Sequence, residues 1–100
     1  MDKLRKVDLV DAIFEKTSCE RQVISQIIDH VFQEIKAGLE AGNTIELRGF
    51  GTFEPRLRKG RASARNPKTG KTVSVEPHYV AAFRSGKELK ENLWKLNKKK

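Results

Sequence analysis

The stretch PRLRKGRASARNPKTGKTVS, residues 55–74, holds seven Lys/Arg and no Asp/Glu around a turn sequence at Asn66-Pro67-Lys68-Thr69-Gly70. Pro67 fixes φ and Gly70 tolerates positive φ, so the run predicts two basic strands joined by a tight turn. The flanks are different in kind. Residues 1–54 carry 7 basic and 10 acidic side chains, and residues 75–100 carry 7 basic and 3 acidic. The net charge of +8 is therefore concentrated in one arm. A localised cationic strip implies a polyanionic partner, whereas total charge bears only on solubility and non-specific association. Edge lysines that guard a strand against aggregation are the plainer explanation of such a strip. The preference for Arg56, Arg58, Arg61 and Arg65, with no acid interspersed, favours phosphate recognition instead.

Outside the arm the chain alternates between helical and strand periods. Leu9, Val10, Ile13 and Phe14 fall on one side of a helix over residues 6–16, opposite Asp8, Asp11 and Glu15. Ser18 is placed to cap a second helix running to about Ala41, whose apolar stripe includes Val23, Ile24, Ile27, Ile28, Val31, Phe32, Ile35 and Leu39. Gly42-Asn43 ends it. Period two then begins at Thr44, with Ile45 and Leu47 alternating with Glu46 and Arg48. Gly49-Phe50-Gly51 turns the chain, Phe53 lies in the next strand, residues 72–75 return from the arm, and residues 80–83 form a further strand. Ser85 with Glu88 forms a capping-box pattern for a last helix through Leu89, Leu93 and Leu96.

The expected fold is α+β: two N-terminal helices, a three-stranded antiparallel sheet with a long β-ribbon arm, and a C-terminal helix. One domain over residues 1–100 is expected. It comprises a helical part at 1–43, the sheet at 44–83 with its arm at about 55–74, and the last helix and basic tail at 84–100. The stripe on the second helix, together with Phe50, Phe53 and Phe83, exceeds what so short a chain covers by itself, so a dimer is expected with Ile28, Phe32 and Ile35 in its core.

Catalytic chemistry has little to stand on. His30 and His78 have no Cys, Asp or Glu at metal-ligand spacing, so no metal or other cofactor is expected. No nucleophile and base can be paired from the sequence, and an enzyme is not expected. Gly70-Lys71-Thr72 matches the end of a phosphate-binding loop, yet Arg65 stands where the first glycine belongs and no apolar helix follows. The lone Cys19 has only Arg21 as a nearby cation and is expected to be a small apolar filler. No apolar run is long enough to span a membrane and no secretory leader is recognisable, so a soluble cytoplasmic protein is expected.

The sequence resembles the HU/IHF family of bacterial DNA-bending proteins over residues 6–96. The resemblance is carried by Gly49-Phe50, Phe53, Arg58, Arg61, Ala64, Asn66-Pro67 and Thr69. Leu9-Val10-Asp11-Ala12-Ile13 and Phe83-Arg84-Ser85-Gly86-Lys87-Glu88-Leu89 agree on either side. It implies an intertwined dimer, a homodimer or a heterodimer, whose two arms reach around the minor groove of double-stranded DNA in the nucleoid. Pro67 would be the wedge at each tip. Arg56, Arg58, Lys59, Arg61, Arg65, Asn66, Lys68 and Lys71 would contact DNA along the arm, with Arg84 and Lys87 on the body. It further implies low sequence preference and a preference for bent, nicked or flexible sites. Structured RNA is the alternative partner, although its wide, shallow minor groove leaves a proline wedge less purpose.

Three departures from the family pattern stand out. Two residues rather than one separate Arg61 from Ala64, which predicts a bulge in the arm. Pro55 replaces a β-former and is expected to mark where the arm bends from the body. The basic extension after Trp94 is longer than in a minimal HU.

Overall fold

A computed structural model describes residues 2–99 apart from Asn66, Pro67 and Thr69; for 61–65, Thr72, Val73, Lys98 and Lys99 it describes the backbone only. The elements follow the order α1 (Lys6–Lys16), α2 (Arg21–Glu40), β1 (Ile45–Leu47), β2 (Gly51–Arg58), β3 (Arg61–Arg65), β4 (Thr72–Val75), β5 (His78–Ser85) and α3 (Lys87–Trp94). A 3-10 turn over Lys95–Lys99 follows. The chain divides into two compact units, Met1–Ala37 and Gly38–Lys100.

In the first unit, α1 starts where the Arg5 backbone N–H donates to Asp8 Oδ2 at 2.8 Å, an acid placed at the positive end of the helix. Thr17 ends it. The Thr17 hydroxyl donates back to the Ile13 carbonyl at 2.9 Å and accepts from the Cys19 backbone N–H at 3.3 Å. That arrangement uses Thr17–Cys19 as a connector and delays α2 to Arg21, with Ile24 N–H bonded to the Glu20 carbonyl. Ser18 is therefore not the cap, and Cys19 is exposed rather than packed. Arg21 lies 4.0 Å above the Phe14 ring and donates to Asp11 Oδ1 at 3.0 Å, while Lys6 pairs with Asp29. Val10 and Ile24 are the buried apolar residues of this unit among those described.

The second unit opens with the end of α2, closed by Gly42 at φ +86° and by Asn43 N–H bonding back to the Gly38 carbonyl. Three strands form an antiparallel sheet in the order β1-β2-β5. Ile45 pairs with Phe53, Phe53 with Phe83, and the β2–β5 register continues to Arg58 opposite His78. The third strand is thus twice the expected length, because its partner β2 continues past the end of β1. Phe50, Phe53 and Phe83 cluster with ring centroids 4.8–6.3 Å apart.

Two expectations about the last helix are corrected. Ser85 stays in β5 opposite Gly51, so the N-cap of α3 is Gly86 and no side chain caps the helix. Gly86 N–H is instead held by the Phe50 carbonyl at 2.9 Å, which ties the start of α3 to the turn before β2. The helix also ends sooner than its leucine spacing suggested, tightening into the 3-10 turn at Lys95.

Candidate nucleic-acid interface

Alternation along the paired strands gives the sheet two chemically different faces. Ile45, Phe53, Pro55, Leu57, Tyr79, Ala81 and Phe83 share one; Glu46, Glu54, Arg56, Arg58, His78 and Arg84 share the other with Thr52, Val80 and Ala82 between them. On the charged face Glu54 is the organising group. One of its oxygens, Oε1, accepts from both Arg84 Nε and Arg56 Nη2, the latter at 3.4 Å. Its side chain is only 25% exposed, against 42% for Arg56 and 63% for Arg84. Two exposed guanidinium groups are thereby held side by side by one half-buried carboxylate.

Sequence reasoning missed Glu54. Arg56 stands two residues away on the same face, a signal that alternation alone supplies, but Arg84 reaches it only through strand pairing across 30 residues.

The arm begins later than expected. Arg56 and Arg58 belong to the body sheet, and Pro55 pairs with Ala81 in mid-strand rather than marking a bend. Proline is tolerated there because β1 ends opposite Phe53, leaving the outer side of β2 open from Glu54 onward. The break comes at Lys59-Gly60, opposite Glu76-Pro77, between the three-stranded sheet and the separate β3–β4 pair. A Cβ at Gly60 would run into the Val75 carbonyl oxygen, the Pro77 nitrogen (2.7 Å) and the Glu76 carbonyl carbon (2.8 Å). All three are backbone atoms. Only glycine lets the two strands cross so closely at the base of the arm, a role flagged in sequence only by an isolated glycine within a strand-like run.

Beyond that junction Arg61 pairs with Val75, and Ala64 and Arg65 pair with Val73 and Thr72, the register shifting by one residue between Arg61 and Ala64. The expected bulge is present. Such a bulge bends its strand and increases the local twist. Thr72 opens a strand and not a helix, which removes the context of a nucleotide-binding loop. Lys68 and Lys71 are exposed, and Gly70 has φ +73°. Asn66 and Pro67, and the side chains of Arg61 and Arg65, lie outside the described residues. Arg58, Lys59 and Lys87 are exposed, Lys87 in the first turn of α3.

Of the residues assigned to the dimer core, Ile28, Ile35 and Phe53 are half-buried, whereas Phe32, Phe50 and Phe83 are 47%, 47% and 40% exposed. Among the described residues there is no group of His, Cys, Asp and Glu that could hold a metal ion, and no helix long and apolar enough to cross a membrane.

An acid-free basic ribbon on an α+β body with a charged sheet face defines a class of protein built to hold a polyanion. Residues 4–93 match the bacterial DNA-binding protein family. The chain is 37% identical over 93 residues to integration host factor subunit alpha of Mannheimia haemolytica, covering 93% of each chain. It is 38% identical over 96 residues to the same subunit of Pasteurella multocida, covering 96% of this chain and 97% of that one. Among solved structures, the Anabaena HU–DNA cocrystal structure superposes with a TM-score of 0.81 at 34% identity, over 90% of this chain and 97% of that one. An HU variant from Thermotoga maritima gives 0.66 at 26% identity, over 90% and 99%. The protein belongs to the bacterial DNA-binding family of HU and integration host factor, whose members are architectural DNA-binding proteins.

Proposed function

We propose that this protein bends double-stranded DNA as a dimer, its two arms following the minor groove and Pro67 at each tip entering a base step. The observation that carries this reading is the β3–β4 ribbon leaving the body at Gly60, with no acidic residue from 55 to 75. Cations along such a ribbon displace counterions and contact phosphates, which position the protein without specifying a sequence. An apolar tip then unstacks one step, at a cost of a few kcal/mol, and the bent duplex gains contacts with the charged sheet face. The second copy covers the exposed apolar stripe of α2 and the aromatic cluster. Identical copies suffice, because an isologous interface needs only a self-complementary patch. Nucleoid compaction and assembly of nucleoprotein complexes, with preference for sites already bent, nicked or flexible, follow from this mechanism.

Pro67→Ala tests the wedge because it leaves every charge in place. Bend angle by FRET and ligase-mediated circularisation of short fragments are expected to fall sharply, with a smaller loss of affinity for linear duplex. The deficit is expected to shrink on nicked or gapped DNA, where part of the unstacking cost is already met. Equal bend angles for the variant and the wild type would make Pro67 a turn residue only.

Glu54 gives a second test, of the sheet face. In Glu54→Gln the negative charge between Arg56 and Arg84 is gone while the shape is kept, so both arginines become available to phosphate. Duplex affinity at low salt is expected to rise roughly 3- to 10-fold, with the advantage fading as salt is added. Folding stability is expected to change little, since ion pairs whose arginines stand largely in water contribute at most about 1 kcal/mol and the glutamine keeps the shape. Unchanged or weaker binding would remove the sheet face from the interface.

A further inference from the structure

The chain's one tryptophan, Trp94, is the last residue of α3 and is 67% exposed. Helical spacing puts it on the side of Lys87, Lys90 and Glu91, at i−7, i−4 and i−3, with Leu93 at the flank and Leu89 well around the helix. Lys90, Glu91, Trp94 and Lys95 line a shallow pocket of about 350 Å³. None of the ion pairs among the described residues uses Lys87, Lys90 or Lys95. From residue 86 to the end the sequence has six lysines against two glutamates.

We propose that this face of α3 is a second nucleic-acid site, one that takes single-stranded DNA. An unpaired base stacks on the Trp94 indole while Lys87, Lys90 and Lys95 hold the adjoining phosphates. An indole left in water among cations is the arrangement by which sequence-tolerant single-strand binders work, because every base offers a π-face and the backbone supplies the charge. Duplex held by the arm keeps its bases paired inside the helix, even at the step the tip opens, and gives such an indole nothing to engage. An anionic membrane is the competing occupant of a basic helix with a tryptophan. It requires the aromatic on the apolar side with the leucines, where it can enter the acyl boundary, whereas Trp94 is turned roughly 100–140° around the helix from Leu93 and Leu89 and falls within the lysine side. The inference is independent of the role assigned to Pro67 and the arm.

Because no other tryptophan is present, the site reports on itself. Titrating the intact protein with oligothymidylate of about 20 nucleotides is expected to quench the indole emission strongly, since stacking brings the base into contact with the fluorophore. Trp94→Leu is expected to weaken binding of that oligonucleotide about tenfold, by the usual worth of one stacked base, and Trp94→Phe to retain most of it. Both variants are expected to keep wild-type duplex affinity and bend angle, which separates this site from the arm. Quenching absent at saturation, or Trp94→Leu binding oligothymidylate as the wild type does, overturns the proposal. So does a blue-shifted emission on vesicles of anionic lipid with no response to oligothymidylate, which would assign the face to membrane.

Discussion

Phe32→Glu is expected to leave the protein unfolded or largely unfolded at micromolar concentration, with a monomeric mass in sedimentation and much of its helical circular dichroism lost. Phe32 is 47% exposed in the single chain, alongside Val31 at 47%, Val23 at 42% and Ile27 at 56%. Within the whole chain only Val10 and Ile24 are buried among the described apolar residues. A chain that covers so little of its own apolar surface has no adequate core until another copy arrives. Covering one phenylalanine contributes about 1.5–3 kcal/mol, and burying an unpaired carboxylate in its place costs several more, at two symmetry-related positions. The wild type supplies the matching observation. Each tenfold rise in concentration stabilises a dimer by about 1.4 kcal/mol, which is roughly 3–6 °C in its midpoint at this size. A monomeric wild type with a concentration-independent midpoint would refute the dimer.

Gly51→Val is expected to lower the thermal midpoint by roughly 10–20 °C, counting about 3 kcal/mol for overpacking in each chain. A Cβ at this buried position would stand 2.5 Å from the Arg84 carbonyl oxygen and 2.6 Å from the Phe83 ring. The carbonyl cannot retreat without opening the Gly51–Ser85 end of the β2–β5 ladder. Nor can the ring move without leaving Phe50 and Phe53, which lie 5.1 and 4.8 Å away. Thr52→Val on the neighbouring residue, which points to the other face, is the control and is expected to shift the midpoint by no more than a few degrees. Equal midpoints for the two variants would show that the aromatic cluster is looser than its geometry implies.

Local chemistry carried much of the fold. The period of α1, the glycine stop after α2, the returning strand Thr72–Val75 and the arm bulge all depend on residues close in sequence, and the structure has them as expected, while the first strand is trimmed at both ends from the expected run over 44–48 to Ile45–Leu47. Expectations failed where a distant segment competed for the same residue. Ser85 is a good cap by type, but its backbone is committed to β5 opposite Gly51, and the start of α3 is held by the Phe50 carbonyl instead. Pro55 is a strand breaker by type, yet it sits in mid-strand because β1 stops short and leaves its outer side open.

The site divides along the same line. The sequence by itself determined the kind of partner, since charge, absence of acids and turn chemistry are properties of a contiguous run and survive any packing. It also determined the family, through residues whose spacing along the chain is the signature. Only the tertiary structure decided which cations lie together. Glu54 meets Arg84 because the β2–β5 register places Thr52 opposite Arg84 and Glu54 opposite Ala82, and Gly60 is obligatory because the Val75–Pro77 backbone crosses within contact of it. Both are pair properties of segments far apart in sequence, and one-dimensional patterns encode the members of such pairs without encoding the pairing.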